Sequence, residues 1–228
     1  MNTLNDGRVA QLLDKLHDDA EATDREFMAT MMAQFEASGA TLEQAAAKLV
    51  AEERVSYRTT YRAHAEHFLA VSPAYGRFLY AIARARRAAR IVEFGTSMGV
   101  STIYLAAALR DNGGGQLIGS ELEPTKVVRA RANLQAAGLA EIREGDALET
   151  LDDVGGEVDV LLIDGAWSLY LPVLRLIEPK LAPGAVILGE NAFASDYLDY
   201  VRDPANCYLS QPLAIDEGRG NEFTVRIG

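Results

Sequence analysis

The 228-residue chain has a single cysteine, Cys207, so no disulfide can close within it. That usage fits a reducing cytoplasm, with Cys207 expected to be a small apolar filler. No apolar run is long enough to span a bilayer, and no charged-then-apolar signal segment opens the chain, so no membrane partner is expected. Positive charge is also scarce. Lys and Arg number 22 against 33 Asp and Glu, giving a net charge of -11 and a pI near 4.8. Phosphate binding needs clustered cations, so nucleic acid is not an expected partner. The one basic cluster, Arg84, Arg86, Arg87 and Arg90, reads as a solvated helix end, where cations favour the dipole. Low-complexity segments, repeats and linkers are absent too. What is present is ordinary for a globular chain: 49% hydrophobic and 24% charged residues, enough for one large α/β domain.

The first 60 residues carry helical periodicity. Val9, Leu12, Leu13 and Leu16 form one stripe; Phe27, Met28, Met31, Met32 and Phe35 form a second, ended by Gly39. Thr41 and Gln44 form a capping box that starts a third helix, with an apolar face of Leu42, Ala45, Ala46, Leu49 and Val50. Residues 1–68 read as a helical extension packed on the core or on a dimer partner. The Met-rich stripe suits such packing.

The organising stretch is Arg90 to Thr102. Ile91 to Phe94 reads as a buried strand, Gly95 and Gly99 bracket a turn, and Ser101 to Leu109 reads as a helix. Free backbone N–H groups at such a turn make a ligand site. The dinucleotide pattern G-x-G-x-x-G fails, because Ser97 and Val100 stand at its second and third glycines. Glu93 would repel a pyrophosphate and suits a cationic ligand instead.

Beyond it the chain alternates as βαβ units do. Pro73 and Gly76 punctuate a loop at 72–76, and a helix follows over Phe78 to Ala89. Strands are expected at Gln116–Ser120, Glu141–Glu144, Val158–Ile163 and Ala185–Leu188. Helices are expected at Thr125–Ala137, ended by Gly138, and at Leu169–Leu181, broken by Pro179 and Pro183. Cys207–Leu213 and Glu222–Ile227, around Gly218-Arg-Gly220, read as a closing hairpin. In open parallel sheets ligands sit at the carboxyl ends of strands. Those ends carry Glu93, Glu121 (with Glu123 close by), Asp146-Ala147, Asp164 and Glu190-Asn191. Glu121 can accept from ribose hydroxyls, and Ala147 leaves room for an adenine ring.

The strand-E-x-G-x-x-x-G pattern resembles the first motif of class I S-adenosylmethionine-dependent methyltransferases. From about Leu69 onward the chain resembles the cation-dependent O-methyltransferases of the catechol and caffeoyl-coenzyme A type. The residues that carry this are V-E-F-G-T-S-M-G-V-S at 92–101, S-E-L-E-P at 120–124, E-G-D-A at 144–147, L-I-D-G-A-W-S-L-Y at 162–170 and G-E-N at 189–191. The resemblance implies a Rossmann-like, seven-stranded, mostly parallel sheet with a reversed C-terminal hairpin and helices on both faces, over residues 69–228. It implies that Leu69, Val71, Glu93, Gly95, Ser97, Gly99, Ser101, Glu121, Asp146, Ala147 and Asp164 surround S-adenosylmethionine. It also implies that Asp164, Glu190 and Asn191 hold a metal, an oxygen set that suits Mg²⁺ or Mn²⁺.

Two positions depart from the family pattern. Glu190 replaces an aspartate, and Trp167 falls where the family has its catalytic lysine. An indole N–H donates but cannot take a proton. Asp164 and Trp167 are therefore the expected catalytic positions, with Trp167 stacking on substrate or packing. His64 and His67, at i and i+3, read as exposed helix residues rather than ligands, since no third ligand is spaced with them. The expected function is O-methyl transfer to a small-molecule hydroxyl by a homodimer. The alternative keeps the cofactor site for cyclisation, elimination or no catalysis.

Overall fold

Parallel strands covered on both faces need apolar residues at nearly every position, and this chain supplies them. Our computed structural model describes residues 2–135, 140–216 and 219–228. Its strands are β1 (Arg90–Phe94), β2 (Gln116–Glu121), β3 (Ala140–Glu144), β4 (Val158–Ile163), β5 (Leu181–Gly189), β6 (Tyr208–Pro212) and β7 (Glu222–Arg226). They form one seven-stranded sheet in the order β3-β2-β1-β4-β5-β7-β6. The first five are parallel, and β7 runs antiparallel between β5 and β6. The expected sheet, with its reversed hairpin, is thus the observed one.

Alternate residues of each strand feed two cores. Ile91, Leu117, Val160, Leu162 and Leu188 face α3 (Pro73–Ala85), α4 (Val100–Asp111) and α5 (Pro124–Leu134). Val92, Ile118, Leu161, Ile163 and Ile187 face α7 (Tyr170–Ile177) and α8 (Ser195–Arg202). A one-turn helix, α6 (Ala147–Thr150), follows β3. β1 pairs with β2 on one side and β4 on the other, so chain order reverses there. A crevice opens at the carboxyl ends of these strands.

Several local expectations change. The two N-terminal stripes lie on one 32-residue helix, α1 (Gly7–Ser38), because no breaker separates them. Val9, Leu13 and Leu16 are buried, whereas Met28, Met31 and Met32 are exposed. The capping box at Thr41 starts α2 (Leu42–Arg62), which is interrupted at Ser56; Ala46 and Val50 are buried and Leu42 is not. The loop expected at 72–76 is the first turn of α3. Ser72 caps it, and Pro73 sits at a helix start, where its missing N–H costs nothing. That helix ends at Ala85 instead of running to Ala89. α5 ends at Leu134; Ala137 and Gly138 lie outside the described residues, as does Gly218. α7 stops at Ile177, and β5 already begins at Leu181.

Of the basic cluster only Arg87 is exposed. Arg84 donates to Asn112 (2.9 Å), Arg86 pairs with Asp159 (3.2 Å) and Arg90 donates to the Val154 carbonyl (2.7 Å), tying helix and strand ends together. Cys207 is exposed in a left-handed turn (φ 61) rather than filling the core.

Candidate functional site

Gly95 and Gly99 shape the turn after β1. Gly95 has φ 94, and a Cβ there would strike the Asp164 carbonyl; this is how closely the ends of β1 and β4 approach. Gly99 has φ 88, and its Cβ would sit 3.4 Å from the Ala130 Cα of α5. L-residues rarely adopt such backbone, so glycine is required at both. Ser97 shares the left-handed region (φ 46). Its strain is offset by two bonds: its N–H donates to Glu121 Oε2 (2.7 Å) and its hydroxyl donates to the Phe68 carbonyl (2.6 Å).

Beside this turn lies a cleft of about 420 Å3, lined among others by Tyr57, Tyr61, Gly95, Glu121, Asp146 and Ala147. Glu121 also accepts from the Glu123 N–H (2.8 Å), while Glu123 caps α5. Asp146 caps α6 and is held by Tyr57 Oη and by both Arg58 Nε (3.1 Å) and an Arg58 terminal nitrogen (2.7 Å). Sequence reasoning missed these α2 residues. The non-helical backbone at Ser56, which turns Tyr57, Arg58 and Tyr61 over the cleft, leaves no signal in the periodicity.

Glu93 does not line the cleft. It is fully buried and accepts from Thr96 (3.0 Å), Ser101 (2.6 Å) and Thr102 (2.6 Å) hydroxyls. Burial pushes its carboxyl above the usual range, against the pull of those hydroxyls. Ser101 is therefore committed to Glu93. Val71 is buried in the first core. Leu69 sits in a left-handed conformation (φ 48), and Asp24 of α1 accepts from its N–H (2.7 Å), from the Phe68 N–H (3.0 Å) and contacts His67 Nδ1 (3.1 Å). His67 also stacks on Phe27 at 4.2 Å. His64 and His67 are thus half-buried turn residues, not exposed helix residues.

The ends of β4 and β5 bring Asp164, Glu190 and Asn191 together. Asn191 Nδ2 donates to Glu190, and Arg219 pairs with Glu190 at 3.6 Å. Burial, then repulsion from Glu190 and Glu93, holds the Asp164 carboxyl well above its usual range. Burial raises Glu190 to about 7, against the pull of Arg219. Tyr75 points a buried hydroxyl with no partner among the described residues, and both carboxylates act on it. Trp167 is half-buried, edge-on to Phe193 at 5.3 Å. Its turn is pinned by Glu53 of α2, which accepts from the Ser168 N–H (2.7 Å). Among the described residues, His, Cys, Asp and Glu side chains nowhere gather in threes around a metal position. The expected set is two carboxylates and an amide, a hard oxygen donor set.

Residues 92–192 match a family described as a methyltransferase domain. The chain is 34% identical over 130 residues to a catechol O-methyltransferase of Niastella koreensis, covering 54% of this chain and 58% of that protein. The chain thus spans well under two thirds of that relative's length. Among solved structures, a cofactor-bound protein from MTB is 26% identical with a TM-score of 0.64, covering 75% of this chain and 88% of that one. An O-methyltransferase from Bacillus cereus in complex with SAH is 22% identical, also with a TM-score of 0.64, over 78% and 90%; at that identity it speaks for the fold. The matched segment runs from within β1 to just past β5, so it includes Glu93, Glu121, Asp146, Asp164 and Glu190. Tyr57, Tyr61 and Arg58 come from outside it.

Proposed function

We propose that this chain transfers the methyl group of S-adenosylmethionine to a hydroxyl oxygen of a small molecule. The observation that carries the reading is the crevice where Gly95, Glu121, Asp146 and Ala147 meet, with Gly165, next in the chain after Asp164, also lining it. In this reading Glu121 accepts from the ribose hydroxyls, Asp146 and the small Ala147 receive the adenine, and the Gly95–Ser97 turn faces the methionine part. The names of the similar proteins favour a catechol-like acceptor.

The oxygen set of Asp164, Glu190 and Asn191 fits a hard divalent ion, and the repulsion between Asp164 and the buried Glu190 favours a cation beside them. These residues would hold Mg²⁺ or Mn²⁺, which supplies Lewis-acid polarisation of the acceptor oxygen when bound. Trp167 presents an aromatic face to an acceptor but takes no proton. The proton acceptors nearest in kind are the two carboxyls. α2 closes the crevice through Tyr57 and Tyr61 and limits water access. The exposed Met28, Met31 and Met32 face of α1 supports a homodimer, which sedimentation would test.

Arg219 favours a second reading. Its guanidinium already lies beside Glu190, so the cofactor site is retained while the acceptor chemistry is a cyclisation, an elimination or none. Incubation with methyl-labelled S-adenosylmethionine and a panel of catechols, with and without a chelator, separates the two. Labelled methyl ether that disappears with chelator supports metal-assisted transfer. S-adenosylhomocysteine binding without any labelled product supports the second reading.

A further inference from the structure

Asp24 is a buried acid in the middle of a helix, and the proposed reaction gives it no part. It lies on α1 and is only 8% exposed. Burying a carboxylate is costly unless hydrogen bonds compensate it. Among the described residues its partners all come from one short stretch well downstream. Oδ1 accepts from the Phe68 N–H (3.0 Å) and lies 3.1 Å from His67 Nδ1, and Oδ2 accepts from the Leu69 N–H (2.7 Å). His67 also stacks at 4.2 Å on Phe27, which is the next residue of α1 on the Asp24 face. The stretch held in this way is strained, because Leu69 sits at φ 48. An L-residue stays there only when its surroundings over-determine it, and the bond from its own N–H to Asp24 is such a restraint.

Phe68 carries the restraint onward. Its N–H is bound by Asp24, and its carbonyl accepts from Ser97 Oγ (2.6 Å). Its ring is buried and lies 5.0 Å from the Arg129 guanidinium of α5. Ser97 is itself left-handed (φ 46), and its N–H donates to Glu121 Oε2 (2.7 Å). Hydrogen bonds therefore run in series from Asp24 through Phe68 and Ser97 to Glu121. Glu121 lines the crevice, and its other oxygen takes the Glu123 N–H (2.8 Å). Each oxygen keeps a lone pair, held in a fixed direction, for one of two neighbouring hydroxyls. Asp24 does not line the crevice, and it lies outside the matched segment 92–192.

We infer that Asp24 is a positioning residue of the cofactor site: it fixes the loop at 67–69 and, through Phe68 and Ser97, the Glu121 carboxylate that receives the ribose hydroxyls. This rests on the S-adenosylmethionine reading. Without Asp24 the strained loop relaxes, the Phe68 carbonyl leaves Ser97, and Glu121 Oε2 loses its fixed partner.

The test is calorimetry with two probes, S-adenosylhomocysteine and its 2′,3′-dideoxy analogue. The proteins are the wild type, Asp24→Ala, Asp24→Asn, Ser97→Ala and the variants that combine Ser97→Ala with each Asp24 change. The wild type should prefer the hydroxyl-bearing probe by about 10- to 100-fold, as for hydrogen bonds to a charged group. Asp24→Ala should cut that preference by about 3- to 10-fold while the dideoxy probe binds as before. Ser97→Ala should do the same. The double variant should lose no more than the weaker-binding single variant, because both changes cut one series of bonds. Asp24→Asn, with one acceptor oxygen in place of two, should fall between wild type and Asp24→Ala. Where Asp24→Ala melts below the assay temperature, Asp24→Asn combined with Ser97→Ala decides by the same rule. A merely structural joint would weaken both probes alike and keep the preference, which overturns the assignment. Additive losses in the double variant overturn it too. A wild type that binds the two probes equally removes the ribose from Glu121, and one that binds neither overturns the cofactor reading; both failures are distinct from a failure at Asp24 alone.

Discussion

Two pairs of strand ends at the carboxyl edge of the sheet solve the same electrostatic problem differently. On the β1–β2 side, Glu93 is enclosed by three hydroxyls and Glu121 by two backbone N–H groups, so each acid has neutral donors of its own. On the β4–β5 side, Asp164 and Glu190 are turned on each other, with one guanidinium at 3.6 Å. The first arrangement is complete without a ligand's charge. The second has Asp164 and the buried Glu190 in repulsion and, among the described residues, an unpartnered Tyr75 hydroxyl on which both act. A site whose own groups are satisfied is pre-organised for one ligand, whereas a site left in repulsion is stabilised by whatever cation or proton enters it.

The widest separation between the two pairs should come from Glu190→Ala. Loss of a polarising site corresponds to roughly 10²–10⁴-fold in turnover, while S-adenosylhomocysteine affinity by calorimetry should stay within a few-fold. A parallel collapse of binding would show that the two pairs form one coupled site.

Next in size is Glu121→Ala, expected to weaken S-adenosylhomocysteine by about 1.5–3 kcal/mol for a lost charge-assisted partner. Unchanged affinity would move the ribose to Glu123.

Trp167→Lys sharpens the acceptor side. A well-placed base is worth about 10²–10⁴-fold, yet the turn carrying Trp167 is pinned by Glu53 and packed on Phe193. We expect catechol turnover to stay at its starting level, read by labelled methyl transfer, and cofactor affinity to be unaffected. A large catechol gain would show that only the base is missing.

The smallest effect concerns Glu93→Gln. Burial raises the folded-state carboxyl of Glu93, so its stabilising contribution is full below about pH 4.5 and is lost as pH rises through the raised value. Thermal melts from pH 4 to 7 should therefore move in favour of the glutamine variant as pH increases. Parallel melting curves would mean that the three hydroxyls fully compensate for burial.

Much of this was legible in order along the chain. The strands after residue 90 announce themselves as short apolar runs, and acids at five strand ends locate the crevice before any coordinates. The glycines at 95 and 99 could be named, but not the contacts that require them, the Asp164 carbonyl and the Ala130 Cα. Expectations failed where a residue's role depends on a distant partner. Pro73 and Gly76 read as loop residues, yet they start α3; Arg84, Arg86 and Arg90 read as solvated, yet each has a partner far away in sequence.

By itself the sequence determined the alternation of strands and helices, the acids at the strand ends and the departures at Trp167 and Glu190, because periodicity and local chemistry are written residue by residue. Only the tertiary structure decided which of those acids are shielded and which confront each other. It also brought Tyr57 and Tyr61 over the crevice from α2 and set Arg58 on Asp146. Charge, burial and hydrogen bonding are properties of neighbours in space, and Tyr57 and Asp146 are 89 residues of chain apart.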